Sequence, residues 1–230
     1  RLYTLSRAQI ARAIAGDPTP LEPRAVPLDF SGFEQRIPNW DGMESIVFDG
    51  RKAYLTVEAK DEGDTRRGHL VSARIIGDLE RVVLERSVML PKQAPLTNKS
   101  YEAVAAVGEY LFAFPEAPDP AFFPNPFVAR YTRELEPAGH LPLPRMGWRL
   151  TDVAQPAGEH IWVINYYYPG DETLGAFKDD LVGRYGAGLS HGRSRQVERL
   201  LRLEVGRDAL TLVDEPPIQL SLVEDARNWE

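Results

Sequence analysis

Short runs of apolar residues recur along this chain, and they come in pairs separated by a tight turn. Apolar residues dominate positions 43–48 and 53–58, and Asp49-Gly50 stands at the turn between them. Runs of this length on both sides of an Asp-Gly dipeptide predict a β-hairpin. The same plan predicts two further hairpins, at residues 102–107 with 110–114 and at residues 152–154 with 160–164.

A second pair of strands is predicted after each hairpin, beyond a more variable loop. These pairs lie at residues 69–76 with 80–90, 127–131 with 135–143, and 197–205 with 209–213. Four strands per unit, one unit after another, are typical of the blades of a β-propeller.

The three predicted hairpins share a carboxylate, a glycine six positions later and a large aromatic residue ten positions later. The copies are Glu44, Gly50 and Tyr54; Glu102, Gly108 and Phe112; and Asp152, Gly158 and Trp162. The first two copies carry a further carboxylate fourteen positions after the first, Glu58 and Glu116, where the third copy has Tyr166. Recurrence at roughly 50 to 60 residues indicates a repeat architecture.

We therefore predict an all-β fold: a β-propeller of four-stranded blades, with five blades favoured and six as the alternative. The single domain, 1–230, divides into a partial blade 1–38, blades 39–97, 98–147 and 148–223, and the start of another blade at 224–230. The opening strand has no preceding partner, and residues 228–230 resemble residues 39–41, so the propeller is expected to be incomplete at both termini. One short helix is predicted at residues 7–15, with Ser6 as its N-cap.

Composition restricts the classes of partner. Hydrophobic residues make up 43% of the 230 residues, and no apolar run approaches the ~18 to 20 residues of a membrane span, so no transmembrane segment is predicted. The formal net charge of −7 argues against nucleic acid as a partner, because phosphate-backbone binding needs a concentrated basic face. The chain has no cysteine, which excludes disulfides and thiolate metal sites.

Two long loops interrupt the strands. Residues 117–126 are rich in proline and are expected to lie on the surface. Residues 169–196 are longer than most loops without a function, and they contain three arginines that could clamp an anionic group by bidentate hydrogen bonds, Arg184, Arg193 and Arg195. A solvated cluster of charges is the favoured alternative for these arginines. Residues 188–192 match G-x-S-x-G, but no strand precedes them, so a loop is favoured over a catalytic serine.

Several short motifs, taken in order, resemble the blade-opening motifs of the esterase-like phytase family. They are residues 2–7 (LYTLSR), 41–46 (DGMESI), 98–105 (NKSYEAVA), 150–154 (LTDVA) and 228–230 (NWE). The chain departs from the family pattern at Ser45 and Ala103, which replace glycine, and at Asn165-Tyr166, where the family tends to have Glu-Arg. The resemblance implies a propeller that hydrolyses phosphate or carboxylic esters in the periplasm or outside the cell.

The repeated carboxylates are the main candidates for a functional site. The first strand of each propeller blade lines the central channel, so Glu44, Glu102 and Asp152 are expected to meet near the axis. Like charges in one narrow space need a cation, a proton or hydrogen-bond donors, and a Ca²⁺ ion in the channel would accept such oxygen ligands. Glu58 and Glu116 are weaker candidate ligands at the same rim. The favoured alternative is structural, with each carboxylate accepting backbone amide hydrogen bonds from the neighbouring blade.

Two function hypotheses follow. The first is a metal-dependent ester or phosphoester hydrolase acting on a small anionic ester. The second is a non-catalytic propeller that binds a protein partner through its two long loops.

Overall fold

The computed structural model of the chain describes residues 2–61, 63, 65–92, 99–120, 123–154, 158–167, 179–186 and 197–220. Strands predominate in these residues and the helices are few and short, which confirms the predicted all-β class. None of the helices in this part of the chain is long and apolar enough to cross a membrane.

The described residues form strands β1 to β16 and helices α1 to α3. In chain order these are β1 (Leu2–Thr4), α1 (Arg7–Ile14), β2 (Arg24–Val26), β3 (Leu28–Asp29), α2 (Phe33–Arg36), β4 (Trp40–Asp49), β5 (Lys52–Lys60), β6 (Arg66–Ile76), β7 (Arg81–Met89), β8 (Tyr101–Val107), β9 (Tyr110–Pro115), β10 (Phe127–Thr132), β11 (Pro137–Pro142), β12 (Arg149–Val153), β13 (His160–Tyr167), α3 (Asp180–Tyr185), β14 (Val197–Val205), β15 (Leu210–Leu212) and β16 (Ile218–Gln219). Each predicted strand pair corresponds to a pair of observed strands.

Three antiparallel meanders dominate the fold. The first sheet has the order β7-β6-β5-β4, the second β11-β10-β9-β8 and the third β12-β13-β14-β15. β3 pairs in parallel with β7, and β16 pairs with β14, so the first and third sheets each gain a fifth strand. β3 therefore belongs to the first sheet, although it lies in the stretch that we assigned to a separate partial blade.

Apolar layers join the three sheets face to face. The layer between the first and second sheets includes Tyr54, Leu70, Val104, Leu111 and Ala129. The layer between the second and third sheets includes Ala105, Phe112, Val128, Ile161 and Leu203. The outer face of the first sheet is covered by the N-terminal segment, through Val26, Phe33 and Ile37. A large apolar side chain contributes roughly 1.5 to 3 kcal/mol when fully buried, so these layers fix the order of the sheets.

The repeated glycine has the same conformation in all three copies. Gly50, Gly108 and Gly158 have φ angles of 60°, 54° and 68°. Residues with a side chain are strained in this left-handed region, whereas glycine is not. Turn geometry therefore explains why the repeat contains this residue.

The N-terminal segment contains the predicted helix and a strand pairing that was not predicted. Ser6 Oγ accepts a hydrogen bond from the backbone N of Gln9 at 3.2 Å, which confirms its role as the cap of α1. β1, for which no partner earlier in the chain was expected, pairs with β2, which follows it, in a separate two-stranded sheet. α2 and α3 were not predicted, because helices of four and six residues show no clear periodicity.

Arg133 joins the turns of the first two hairpins. Its guanidinium donates to the carbonyl oxygens of Tyr110 at 2.6 Å and Gly108 at 3.0 Å, and its Nε lies 2.8 Å from the Asp49 carboxylate. In return, the Tyr54 hydroxyl donates to the Arg133 carbonyl at 3.1 Å. The end of the first sheet is thereby tied to the end of the second.

Arg133→Gln is expected to lower the free energy of unfolding by about 1 to 3 kcal/mol, because several acceptors lose their charged donor. Arg81→Gln is the matched control, since its side chain is 53% exposed and lies 3.9 Å from Asp29. The control should change stability by less than about 0.5 kcal/mol. Urea unfolding measures both variants, and equal stabilities would contradict the role given to Arg133.

Candidate functional site

The first strands of the three sheets lie side by side. β4 contacts β8, and β8 contacts β12. Glu44, Glu102 and Asp152 belong to these strands. Because β4 pairs antiparallel with β5 and β8 with β9, Glu58 on β5 and Glu116 just after β9 lie at the same end of the sheets. Each of the first two hairpins therefore contributes two carboxyl groups to that end.

β-Bulges determine how the first-strand carboxylates are placed. Glu44 is the extra residue between paired neighbours in the first hairpin, and Glu102 is the extra residue in the second. In the third hairpin the extra residue is Thr151, and Asp152 pairs with Ile164. A bulge redirects the side chain of the extra residue, so the third carboxylate is not placed like the first two.

Asp152 lies apart from the other carboxylates of the repeat. It lines a groove on the outer face of the third sheet with Ala154, Trp162 and Ile164. Burial raises the pKa of Asp152, while a hydrogen bond of 2.8 Å from the backbone N of Val153 to its Oδ1 acts in the opposite direction. The structure thus does not bring Asp152 to the carboxylates that it was expected to meet.

Four other carboxyl groups do come together, and we name them the carboxylate cluster: Glu44, Glu58, Glu102 and Glu116. Burial raises the pKa of Glu102 to about 9, together with the charges of Glu116, Glu44 and Glu58 and a hydrogen bond with the Glu116 carboxyl group. Like charges at close range disfavour ionisation. Both causes favour the protonated form of Glu102.

Glu58 is the second perturbed member of the cluster. Its residue is 8% exposed, and burial followed by the charges of Glu44 and Glu116 raises the pKa of Glu58 to about 7. The nearest cation is Arg66, whose Nε lies 3.7 Å from Glu58 Oε2. Within the described part of the chain, Glu58 Oε1 has no hydrogen-bond donor.

Two cationic side chains bind Glu116, which is 2% exposed. Lys99 Nζ and Arg149 Nη1 each donate to Glu116 Oε1 at 2.8 Å. Lys99 precedes β8 in the second sheet and Arg149 begins β12 in the third, so this carboxylate joins neighbouring sheets. The predicted structural alternative concerned Glu44, Glu102 and Asp152 and backbone amide donors, whereas Glu116 joins the sheets through side-chain donors.

The cations at this site were not predicted, although the repeat contains a signal for them. The position three residues before each repeat carboxylate holds Asp41, Lys99 and Arg149. All three are charged, and Asp41 accepts a hydrogen bond of 2.7 Å from Arg66 Nη2. Comparing the polar positions of the copies, and not only the apolar ones, would have indicated these residues.

The donor set of the cluster suits a hard divalent cation, since Ca²⁺ prefers carboxylate oxygens. Glu58 Oε1 is a buried acceptor that such an ion would satisfy. However, among the described residues no group of three or more His, Asp or Glu side chains is close enough together to hold a metal ion. A bound cation would require the carboxylates to approach one another and Glu102 to release its proton.

The long insert, residues 169–196, is described only at residues 179–186. There Asp179 caps α3, accepting hydrogen bonds of 3.2 Å from the backbone N of Leu181 and of Val182. The buried Arg199 binds the same carboxylate, with Nη1 at 2.9 Å and Nη2 at 3.1 Å. A bidentate ion pair therefore anchors this part of the insert to β14.

The predicted anion-binding arginines find little support in the described residues. The Arg184 side chain on α3 is 62% exposed and pairs with Asp214 at 2.8 Å. This is the behaviour of a solvated surface charge. Arg193 and Arg195 lie outside the described residues, as does the G-x-S-x-G match at 188–192.

Comparisons with known proteins add little to this picture. No protein-family model matches the chain, and no curated protein matches it. The chain is similar to a solved structure described as a crystal structure of glucose dehydrogenase, with 13% sequence identity, 90% of this chain and 82% of that chain covered, and a TM-score of 0.38. A likeness of this size supports no conclusion about fold or activity.

Stability should fall as the pH rises through the range in which the cluster ionises. The pKa of Glu58 (about 7) and that of Glu102 (about 9) lie above the ordinary value of 4.5. Above pH 4.5 the folded state therefore binds more protons than the unfolded state, so the free energy of unfolding decreases as the pH rises. The decrease due to Glu58 ends near pH 7, and the decrease due to Glu102 ends near pH 9.

Glu102→Gln keeps a hydrogen-bond donor beside Glu116 but cannot ionise. We expect this variant to melt at least about 2 °C above the wild type at pH 8.5, and at the same temperature at pH 5. Glu85→Gln is the control, because Glu85 does not belong to the cluster. Its carboxylate pairs with Arg74, with 2.6 Å between Glu85 Oε1 and Arg74 Nε. Melting curves from pH 5 to 9 in a chelating buffer test this, and parallel profiles for Glu102→Gln and the wild type would refute it.

Proposed function

We propose that the three stacked sheets are consecutive blades of a β-propeller, with five blades favoured and six as the alternative. The contacts of β4 with β8 and of β8 with β12 support this proposal, because the first strand of each blade lines the channel of a propeller. The apolar layers between consecutive sheets and the repeated glycine turns also support it. The carboxylate cluster then lies at one end of the channel.

The activity that the site supports best is hydrolysis of a small anionic ester, either a phosphate or a carboxylic ester, with a divalent cation such as Ca²⁺ in the cluster. The observation that carries this proposal is the electrostatic coupling of four carboxyl groups, of which Glu58 and Glu116 are buried and Glu58 and Glu102 have strongly raised pKa values. Perturbed carboxyl groups concentrate at functional sites. The resemblance to esterase-like phytases favours the same reaction class and a periplasmic or secreted location.

The residues of the cluster would have two different roles, cation binding and ion pairing. Glu44, Glu58 and Glu102 would hold the cation, with Glu102 losing its proton on binding. A cation there would act as a Lewis acid on an oxygen of the ester. Glu116 would remain bound to Lys99 and Arg149 and keep these two positive charges beside the site.

Binding of Ca²⁺ at pH 7.5 should release about one proton per ion, because Glu102 must ionise to become a ligand. Calorimetry in two buffers with different ionisation enthalpies measures this number. Glu102→Gln should bind Ca²⁺ at least about tenfold more weakly and release no proton from this position. Glu85→Gln serves again as the control and should match the wild type.

Hydrolysis is measured on p-nitrophenyl phosphate and p-nitrophenyl acetate, with and without Ca²⁺. Glu58→Gln should lower the Ca²⁺-dependent rate at least about tenfold. Absence of Ca²⁺ binding would refute the cation site, and Ca²⁺ binding without turnover of either ester would favour a non-catalytic role.

A groove on the surface favours the second candidate function, a non-catalytic propeller that binds a protein partner. Residues 117–119 of the proline-rich loop are buried, contrary to the surface position predicted for them. Residues 120 and 123–126 of the loop line a groove whose aromatic residues contact one another, with 5.9 Å between the rings of Phe123 and Phe127 and 4.7 Å between Phe127 and His140. Pro124 and Pro142 also line it, which gives an apolar surface suited to a partner segment.

A photo-crosslinking amino acid in place of Phe123 should capture the partner in cells, if this groove is a binding surface. The same amino acid in place of Phe48, which is 40% exposed on β4, is the control and should give no such adduct. Equal labelling from both positions, or none from position 123, would count against partner binding at the groove.

A further inference from the structure

A small pocket lies beside the carboxylate cluster, and its wall is rich in cations. It is lined by residues 66–68 at the beginning of β6, by residues 91–92 after β7, by residues 99–101 at the beginning of β8, and by Pro115 and Ala117. Its charged residues are Arg66, Arg67, Lys92 and Lys99. Among the described residues, no carboxylate lines it. Carboxylates that do not line the pocket pair with three of these cations: Asp41 with Arg66 at 2.7 Å, Asp61 with Arg67 at 2.7 Å and Glu116 with Lys99 at 2.8 Å. The attraction for an anion therefore depends mainly on Lys92 and on the remaining donors of Arg67.

Ser100 places a buried hydroxyl group in this pocket. The residue is 8% exposed, and Ser100 Oγ has no hydrogen-bond partner among the described residues. Arg66 Nε is likewise buried without an acceptor in hydrogen-bond range. Leaving a buried donor unsatisfied costs about 1 to 3 kcal/mol. The carboxylate oxygen nearest to Arg66 Nε is Glu58 Oε2 of the cluster, at 3.7 Å, so an acceptor in the pocket would satisfy the Ser100 hydroxyl.

Close packing keeps the Ser100 hydroxyl at the pocket wall. A Cβ atom on Gly68 would lie 2.7 Å from Ser100 Oγ and 2.8 Å from the Tyr101 ring, so only glycine fits here. The Tyr101 hydroxyl donates to the carbonyl of Pro91 at 2.9 Å and ties the opposite wall in place. The walls of the pocket are thus held in place by packing and hydrogen bonding within the first and second sheets.

The cations of the pocket retain unused donor capacity. Arg67 binds Asp61 through Nε at 3.1 Å and Nη2 at 2.7 Å, yet a guanidinium has five N–H donors and two are used in this way. Lys92 is exposed and, in the part of the chain that the structure describes, forms no ion pair. Its charge is the least compensated of the four.

We propose that this pocket binds a small oxyanion, the phosphate, sulfate or carboxylate group of a ligand. Arg67 and Lys92 provide the charge, and Ser100 provides a buried hydrogen bond. Charge-assisted hydrogen bonds from several donors are the usual means of holding such a group. The proposal requires neither cation binding nor hydrolysis; if the proposed hydrolase activity holds as well, the pocket places the anionic group of the ester beside the carboxylate cluster.

Inorganic phosphate, sulfate and acetate are titrated into the protein at constant ionic strength, in the presence of a chelator, with binding followed by calorimetry and by NMR of the backbone amides. At least one of them should bind more tightly than chloride. Arg67→Gln and Lys92→Gln should each weaken that binding at least about fivefold, and Ser100→Ala about threefold. Arg74→Gln removes the same charge from β6 away from the pocket and should leave the affinity within about twofold.

The proposal is overturned if none of the three oxyanions binds more tightly than chloride, or if Arg74→Gln weakens binding as much as Arg67→Gln does. Lys92 is exposed, so its variant tests the pocket even if another variant folds poorly. Glu58→Gln should retain oxyanion binding, which separates this result from the outcome of the hydrolysis assays. Loss of oxyanion binding in Glu58→Gln alone, with Lys92→Gln unaffected, would assign the anion to the cluster and not to the pocket.

Discussion

Repulsion between carboxylates that the repeat brings to one place is the constraint on which this site depends. Two hairpins of the same plan lie side by side, so each contributes its carboxylates to the same end of the stacked sheets. Charges of one sign in a buried place must be compensated. The structure shows one means, the side-chain donors that bind Glu116. The raised pKa of Glu102 indicates a second, retention of its proton.

The cations that bind Glu116 link neighbouring sheets in addition to the apolar layers. Lys99 precedes the first strand of the second sheet and Arg149 begins the first strand of the third sheet. Asp41 holds the equivalent position in the first sheet. Because Glu116 binds both cations, one carboxylate connects two sheets at the level where their apolar layer ends. A single arginine, Arg133, joins the opposite ends of the first and second sheets. Polar links therefore act at both ends, and apolar layers act between them.

The sequence predicts the hairpins well because two local signals agree there, a glycine that needs a left-handed φ and apolar runs of strand length. The same signals do not determine register. In the third hairpin the bulge falls on Thr151 and not on the repeat carboxylate, and Asp152 faces a different groove as a result. Spacing along the chain cannot show which residue is bulged, since that depends on how the whole strand packs. The cations were missed for another reason. The position three residues before the repeat carboxylate is acidic in the first copy and basic in the other two, so the copies share a charged residue but not the sign of its charge.

The cluster and the neighbouring pocket share groups, so ligands at the two sites must influence each other. Lys99 lines the pocket and also donates to Glu116, and Arg66 lines the pocket and lies near Glu58. An oxyanion in the pocket would compete for the positive potential that now stabilises the carboxylates. The carboxylates would then hold protons more strongly, or bind a divalent cation more strongly if one is present. By linkage, a cation in the cluster would raise the affinity of the pocket for the oxyanion by the same factor. If the proposed cation and oxyanion both bind, shared charges would make their binding cooperative.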